Sequence, residues 1–165
     1  TQYVKDIIKG PNGQFNVILQ PGTVPQRYLP LPDQDGNFYI EAENVQNQDL
    51  EADYVIVHFA ILYPQLIPDA AVYIYGKFTD WKLLPELKMT YDEVHKAYVG
   101  EAVLKQGYYD YRYAVVSQDS SQVDLVTMQN NFYQTLNEYE IRFYFYDYNL
   151  MCFRFVGYQK VGAHL

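Results

Sequence analysis

The stretch Ala71–Trp81, AVYIYGKFTDW, decides the fold of this chain. Its opening residues form a short alternating pattern that predicts a strand ending at Gly76, and a tight aromatic turn then closes on the single tryptophan, Trp81. The stretch Gln106–Tyr113, QGYYDYRY, indicates a second strand built almost entirely from tyrosine. Together they predict two neighbouring strands of a sandwich with one displayed aromatic loop.

The composition of the whole chain favours β structure. Aromatic residues make up 18% of the 165 residues, and 19 of them are tyrosines. Such side chains fit pleated, half-buried surfaces better than helices. The length suits a single domain with an extended leader, because domains cluster near ~100–150 residues. We therefore predict an all-β chain.

Charge and cysteine content narrow the classes of function. The formal charge of −8 argues against nucleic-acid binding, which needs a basic face that displaces counterions. Cys152 has no second cysteine to pair with, and its apolar surroundings, MCFRFV, predict a small buried hydrophobe. Because no stretch approaches the ~20 apolar residues of a membrane-spanning helix, we expect a chain that does not itself span the membrane.

The N-terminal region predicts a hairpin and then a connector. Tyr3–Ile8 and Phe15–Leu19 are short apolar runs on either side of the turn signal GPNG, and four prolines follow, up to Pro32. We expect residues 1–32 to be a leader or the end of a preceding domain, and residues 33–165 to form the sandwich domain. The acidic segment Asp33–Gly36 predicts an ordinary turn rather than a calcium loop, since no helices flank it.

The most hydrophobic segment, Tyr54–Tyr63, predicts a central strand. Four apolar residues share one face, and the opposite face is also largely apolar, so we expect cover on both sides. These four are Val55, Val57, Phe59 and Ile61. His58 on the opposite face has no His, Cys or paired carboxylate near it in the sequence. A hydrogen-bonded, partly buried histidine is therefore favoured over a metal ligand.

The second half of the chain predicts further strands. In Tyr108–Val116 the alternation assigns Tyr109, Tyr111, Tyr113 and Val115 to the core. Glu138–Tyr146 and Met151–Gln159 are two strong strands that close the chain. Roughly eight or nine short strands, with turns about every ten residues and no helix of usable length, are typical of a β-sandwich.

We find no sequence motif for catalysis. The chain lacks a nucleophile elbow, an HExxH motif, a phosphate loop and a Cys/His ligand pattern, so we predict no enzyme activity, no cofactor and no metal. Twenty acidic residues leave a glycosidase-type carboxylate pair open, since only their separation in space decides it.

The displayed aromatic residues are the better functional candidates. We predict a partner or glycan surface made by Phe78, Trp81, Tyr108 and Arg112, because sugar rings pack on aromatic faces while arginine hydrogen-bonds hydroxyls. In the alternative interpretation Trp81 closes the end of the sandwich and the tyrosines pack between strands. Physical considerations alone favour this packing role.

Two segments resemble the early-set immunoglobulin-like glycogen-binding modules. Gly76–Trp81, GKFTDW, and Gly107–Arg112 are similar to the strand-end turn and the tyrosine-basic strand of those modules. The resemblance implies an immunoglobulin-like β-sandwich in which Trp81 is a sugar platform and Arg112 a polar contact. The second tryptophan platform of the modules has no counterpart here.

A more extensive resemblance is to the C-terminal domain of the type IX secretion system plug protein family of Bacteroidetes. The matching segments occur in family order over 36–158: DGNF at 35–38, DYVIVHF at 53–59, VYIYG at 72–76, MTY at 89–91, LKQGYYDY at 104–111, NEY at 137–139 and VGY at 156–158. Gln129–Gln134 and Tyr146–Arg154 depart from the family pattern. In both regions the contacts of this chain with a partner would differ from those of the family.

This resemblance implies a non-enzymatic accessory protein without a cofactor. Such a protein would close or gate the pore of an outer-membrane translocon protein from the periplasmic side. The resemblance also implies a longer parent protein, with an upstream domain and a cleaved export signal, of which this chain is the C-terminal part. A glucan-binding module that uses Trp81 and Arg112 is the alternative function.

Overall fold

The computed structural model describes residues 3–28, 36–43, 45–120, 122–132 and 137–163. These residues form twelve strands: β1 (Val4–Lys9), β2 (Phe15–Leu19), β3 (Gly22–Thr23), β4 (Phe38–Ile40), β5 (Tyr54–Leu62), β6 (Ala70–Tyr75), β7 (Thr90–Asp92), β8 (Ala97–Lys105), β9 (Gly107–Tyr109), β10 (Arg112–Ser117), β11 (Asn137–Asp147) and β12 (Cys152–Ala163). The single α-helix among them, α1 (Gln48–Glu51), is one turn long, and two 3-10 turns lie at Lys77–Thr79 and Pro85–Leu87. The predicted all-β class is confirmed.

One layer of the fold is a six-stranded sheet with the order β1-β2-β5-β8-β7, on which β3 also pairs with β5. The predicted N-terminal hairpin is confirmed, since Ile7 pairs with Val17 in antiparallel β1 and β2. β2 then joins β5 in parallel, with Asn16 opposite Ile56. The three strands β1, β2 and β3 of the predicted leader are therefore part of the main sheet.

The second layer contains the pair β6 and β10. They run antiparallel with Arg112 opposite Tyr75. The prediction that Ala71–Trp81 and Gln106–Tyr113 are neighbouring strands is therefore confirmed only for the end of the second stretch, because its first part pairs with β4. Buried side chains from both layers meet in one core, and the largest that are fully buried are Ile61, Ile74, Met128 and Val72. Two packed sheets around one apolar core are a β-sandwich arrangement.

The central strand β5 has one buried face. Val55, Phe59 and Ile61 are buried, as the alternation predicts. On the other face, Tyr54 is 58% exposed and Leu62 is 44% exposed, so the predicted cover on both sides is wrong at the strand ends. The β6–β10 layer packs on only one side of the six-stranded sheet, and the apolar outer positions of β5 stay partly open.

The predicted tyrosine strand is divided in two. β9 pairs with β4 and β10 pairs with β6, and the chain changes partner at residues 110 and 111. The alternation nevertheless holds through the break, because Tyr113 and Val115 are buried and Tyr109 and Tyr111 are half-buried. The core assignment is confirmed for Tyr113 and Val115, and Tyr111 packs against that core, whereas Tyr109 packs on Phe38 of β4.

The chain divides into two compact units, 1–26 with 31–131 and 27–30 with 132–165. The second unit contains the two predicted closing strands as β11 and β12, and these pair with each other in antiparallel fashion. Cys152 on β12 is exposed. Its predicted burial is wrong, because the apolar run around it lies in a two-stranded hairpin with no further strand among the residues described. The predicted boundary at residues 32 and 33, and most of the Asp33–Gly36 turn, lie outside the described residues.

Candidate functional site

Trp81 is displayed by a tight turn at the end of β6. The backbone N–H of Trp81 donates to the Gly76 carbonyl oxygen at 3.2 Å, and the Thr79 hydroxyl donates to the same oxygen at 2.9 Å. Asp80 and Trp81 both adopt left-handed backbone angles, with φ of 51° and 57°. This reversal leaves the Trp81 side chain 41% exposed.

The indole is also held in place by its neighbours. The Tyr75 ring meets it edge-on with centroids 5.4 Å apart, and the Tyr75 hydroxyl donates to the Trp81 carbonyl oxygen at 2.9 Å. A methyl group at Gly36 would lie 3.6 Å from the indole, so the backbone at Gly36 runs beside the ring. One part of Trp81 is thus packed against its neighbours, and another part is accessible to solvent.

Arg112 lies on the same face of the sheet as Tyr75, the residue that contacts Trp81. It is exposed and sits directly opposite Tyr75 across the β6–β10 pair. Residues opposite one another in an antiparallel pair project to the same face of the sheet. Because Tyr75 contacts the Trp81 ring and lies opposite Arg112 in the strand pair, we define Tyr75, Trp81 and Arg112 as the tryptophan patch.

Phe78 has a packing role. It is half-buried against the core and meets the Tyr109 ring edge-on at 5.7 Å. Tyr109 in turn stacks on Phe38, with centroids 5.3 Å apart and planes 3° from parallel. Phe78 therefore supports the β4–β9 ribbon from one side rather than presenting its ring to solvent.

Tyr108 belongs to the opposite face of that ribbon. It is 45% exposed and stacks on Tyr39 at 4.9 Å. Successive residues of a strand project to opposite faces, so Tyr108 and Tyr109 diverge. The four predicted surface residues thus divide into the tryptophan patch, the packing residue Phe78, and Tyr108 at a separate feature.

That feature is a groove of about 830 Å³. It lies on the face of the six-stranded sheet that also carries the core residues Val55 and Phe59. Its floor consists of apolar side chains from β1, β2, β5 and β8, and the β4–β9 ribbon forms a wall. Seven aromatic residues line this aromatic groove: Tyr3, Phe15, Tyr39, Phe59, Tyr108, Tyr109 and Tyr111. The β6–β10 layer is too narrow to cover the β1–β2 end of the sheet, where Ile7 is 58% exposed.

The groove presents little charge. Lys105 is the one charged residue among its described lining residues. Lys105 lies opposite Tyr54 in the β5–β8 pair, its Nζ is 5.3 Å from the centre of the Tyr54 ring, and it donates to the Asp49 carbonyl oxygen. Tyr54 projects from the outer face of β5, so the ammonium group is directed away from the groove floor.

The hydroxyl groups of Tyr109 and Tyr111 in the groove stay protonated at neutral pH. Burial raises the pKa of Tyr111 and of Tyr109, because a charged phenolate would lose hydration there. The Tyr109 hydroxyl is engaged in a 2.9 Å bond to the Lys105 carbonyl oxygen. The groove can therefore offer apolar ring surface and a few neutral hydroxyl groups to a ligand.

Sequence reasoning missed the groove. The alternation of Val55, Val57 and Phe59 identified its floor, and the tyrosines of 108–111 identified its wall. What the sequence did not reveal is that the covering layer would be only two strands wide. The β1–β2 hairpin widens the first sheet beyond the two-stranded β6–β10 layer, and this difference in width depends on how distant strands pair.

A smaller cavity of about 410 Å³ lies on the outer face of the same sheet and includes His58 and Glu101. His58 Nε2 is 2.9 Å from Asn16 Oδ1, and His58 Nδ1 is 3.7 Å from Glu101 Oε2. The predicted hydrogen-bonded, partly buried histidine is confirmed. His95 is exposed, and its Nδ1 lies 2.7 Å from Asp92 Oδ2. Within the described part of the chain, no cluster of three or more His, Cys, Asp or Glu residues could hold a metal ion.

Comparison with solved structures identifies a similar protein. The chain matches no family model and none of the curated proteins. It is similar to a hypothetical protein from Parabacteroides merdae ATCC 43184, known from a crystal structure at 2.30 Å resolution, with 34% sequence identity and a TM-score of 0.77. The match covers 98% of this chain but only 41% of that protein.

Among the helical residues described here, none form a segment long and apolar enough to cross a membrane.

Proposed function

We propose that this chain is a non-enzymatic docking module, and that it serves as an accessory or plug component of the outer-membrane type IX secretion translocon. The observation that carries the proposal is the aromatic groove, an accessible concave site of about 830 Å³ lined mostly by apolar and aromatic side chains. Concave sites with such a lining are typical of binding sites. Its walls suit a protein segment with apolar side chains, and we propose the translocon protein as that partner.

The segments that resemble the plug protein family contribute directly to this groove. DYVIVHF supplies Val55, Val57 and Phe59 to the floor, and LKQGYYDY supplies Leu104 and three tyrosines. If the matching segments lay only in loops or at scattered core positions, their residues would not come together along one groove. The proposal accordingly places the chain at the periplasmic side of the outer membrane.

The non-enzymatic part of the proposal rests on the character of both cavities. Tyrosines and aliphatic side chains dominate the groove, and its one charged lining residue directs its ammonium group elsewhere. In the outer cavity His58 is hydrogen-bonded to Asn16, which keeps one of its ring nitrogens occupied. General acid–base catalysis needs titratable groups free to reach a substrate. The described lining of the groove supplies no such pair, and the His58–Glu101 pair of the outer cavity is constrained by the hydrogen bond to Asn16.

For the fold we propose the immunoglobulin-like, early-set type of sandwich. Support comes from the strand-end turn at Gly76–Trp81, which joins the end of β6 in the second layer to the segment before β7 in the first. A strand that ends in such a turn and changes sheet is common to sandwiches of this type.

The function is tested by capture from native outer membranes with the tagged full-length protein. We expect the translocon protein to co-purify with the wild type, and the double variant Tyr39→Ala, Tyr108→Ala to retain about tenfold less, since aromatic anchors carry much of the energy of such interfaces. Val94→Ala is the matched control, because Val94 is 86% exposed and lies outside the groove. Equal capture by the groove variant and the control would exclude the groove, and a clean translocon that never contains this protein would exclude the function.

A glucan-binding role is the second candidate, favoured by the tryptophan patch. The patch combines an indole that is partly accessible with an exposed arginine, both next to Tyr75, and these side chains can stack on a sugar ring and hydrogen-bond its hydroxyls. Titration with linear glucans should then change the fluorescence of Trp81, and Arg112→Ala should weaken the response. An unchanged spectrum at millimolar glucan would rule this candidate out.

A further inference from the structure

The outer cavity of the six-stranded sheet combines polar side chains with a small apolar floor. Its volume of about 410 Å³ lies in the range of small-ligand sites. Ala60 and Val99 lie opposite one another in the β5–β8 pair and belong to the lining. Residues in such opposite positions project to the same face, so these two side chains form an apolar floor beside the next pair, His58 and Glu101. The cavity therefore suits a small ligand with an apolar part and a polar part.

Asn16 fixes the orientation of the His58 ring. His58 Nε2 lies 2.9 Å from Asn16 Oδ1, and an amide oxygen only accepts hydrogen bonds. In the neutral ring Nε2 therefore carries the proton, and Nδ1 is left with a lone pair. His58 Nδ1 lies 3.7 Å from Glu101 Oε2, which is also an acceptor. Two acceptors thus face each other across a gap that is too wide for a hydrogen bond between them and that a donor from a ligand can bridge.

A primary ammonium group is the donor that fits this gap. It has three N–H donors and a positive charge, and the cavity offers three acceptors: the Nδ1 of His58, the carboxylate of Glu101 and the hydroxyl of Thr90. Thr90 lies opposite Val99 in the β7–β8 pair, so its side chain projects to the same outer face. The net charge of −8 attracts cations to the chain. Because the described lining lacks the third His, Cys, Asp or Glu residue of a metal site, the acceptors suit an organic cation.

Lys5 provides the opposite charge at the other end of the cavity. It lies at the register shift between Val4 and Asp6 of β1 and belongs to the lining. In the strand order β1-β2-β5-β8, three spacings of about 4.8 Å separate its strand from that of Glu101, roughly 14 Å in all. The neighbouring Asp6 is not a lining residue, and its Oδ1 accepts a 2.8 Å hydrogen bond from the Ile7 N–H. The cavity thus favours an anionic group near Lys5 and a cationic group near Glu101.

We propose that the outer cavity binds an ω-amino carboxylate, with its ammonium group between His58 and Glu101, its aliphatic chain over Ala60 and Val99, and its carboxylate at Lys5. A free ω-amino acid and the C-terminal lysine of a peptide both present this chemistry, because each joins a primary ammonium group to a carboxylate through a short aliphatic chain. The proposal is independent of the docking role of the aromatic groove, which lies on the opposite face of the sheet.

Nuclear magnetic resonance of the His58 ring in the full chain at neutral pH tests the pair of acceptors. In the free protein we expect the ring nitrogen signals of the Nε2–H form, and ε-aminocaproate at millimolar concentration should shift them. The ring of His95 is the internal control, since it is exposed and its Nδ1 contacts Asp92 outside the cavity. A proton on His58 Nδ1 in the free protein, or a His58 ring that does not respond to the probe, would overturn the proposal.

Calorimetric titration with three probes tests the two charged ends separately. We expect ε-aminocaproate to bind about tenfold more tightly than pentylamine or caproate, since each of these lacks one of the two charged groups. Glu101→Gln should weaken the binding of ε-aminocaproate about tenfold, and Lys5→Ala should remove the preference over pentylamine. Glu86→Gln is the matched control, because Glu86 is exposed and lies outside the lining. Equal affinities for the three probes, or equal effects of Glu101→Gln and Glu86→Gln, would show that the proposal is wrong.

A short peptide that ends in lysine distinguishes the two sources of the ligand. Binding of this peptide, with loss of binding when its terminus is amidated, would support the proposal with a protein terminus as the ligand. Binding of ε-aminocaproate without binding of the peptide would support it with a small molecule as the ligand. If neither binds, the cavity does not recognise this chemistry and the proposal is excluded.

Discussion

The hydroxyl of Tyr75 donates a 2.9 Å hydrogen bond to the carbonyl oxygen of Trp81, six residues further along the chain. The same two residues meet edge to face through their rings. The bond therefore ties the last residue of β6 to the far end of the turn that displays the indole. Any role of Trp81 in binding depends on this support.

Tyr75→Phe should lower the free energy of unfolding by about 0.5–1.5 kcal/mol, because it removes one hydrogen bond and keeps the ring contact. Urea unfolding followed by the fluorescence of Trp81 measures the change, since Trp81 is the single tryptophan. Tyr73→Phe, two residues earlier on the same face of the strand, is the control. An equal loss in both variants would show that the bond to Trp81 is not the cause.

Ile74→Ala should destabilise the sandwich by about 2–5 kcal/mol, the usual range for truncating a large aliphatic side chain in a core. Ile74 is fully buried and lies in the core shared by the two layers. Val94→Ala removes a comparable apolar group at an exposed turn and should change stability by less than about 0.5 kcal/mol. Chemical denaturation of both variants measures the difference, and similar midpoints would contradict the assigned core.

Gly107→Ala should disrupt the wall of the aromatic groove. A methyl group at Gly107 would overlap the Tyr39 carbonyl oxygen and lie 3.0 Å from Ile40 Cα, both of which are backbone atoms that cannot move independently. We expect a loss of about 1–3 kcal/mol and a weaker near-ultraviolet dichroism signal from the Tyr39–Tyr108 stack. Gly22→Ala is the control, because its methyl group would lie at an ordinary 3.7 Å from the Ala60 carbonyl oxygen.

Stability should fall at alkaline pH. Burial raises the pKa of Tyr113 far above its ordinary value of 10.0, while the unfolded chain ionises near that value. Above pH 10 the folded state then binds more protons than the unfolded state, so the free energy of unfolding decreases with rising pH, by up to about 1.4 kcal/mol per pH unit for one group. Tyr113→Phe should reduce this slope in denaturation measured across the alkaline range. Identical slopes in the two proteins would show that Tyr113 does not contribute.

Local sequence patterns predicted most of the strands and the interior of the sandwich. The pairing of β6 with β10 follows from two alternating runs, and the core positions Tyr113 and Val115 follow from period-two spacing. These properties depend on neighbouring residues along the chain, and the sequence reports them directly.

Properties that depend on the whole sheet were not predictable in the same way. Cys152 occupies an apolar run that looks like a core strand, and it is exposed because the described residues provide no layer over that hairpin. Tyr39 contributes to the candidate site only because β4 pairs with β9, almost seventy residues away. The number and width of layers arise from long-range pairing, which a single sequence does not display.

The parallel pairing of β2 with β5 has a consequence for folding kinetics. The β1–β2 hairpin is local and can form on the microsecond timescale, on the order of 1–10 μs. It docks through Asn16 opposite Ile56 and through the Asn16–His58 hydrogen bond, and both contacts must wait until a loop of some forty residues closes. Closing a loop of that length lowers the entropy of the chain before the stabilising contacts can form. Docking of the β1–β2 hairpin on β5 is therefore expected to be a late step of folding. The floor of the groove, which needs β1 and β2 beside β5, would then be completed after the other strands of the sandwich have paired.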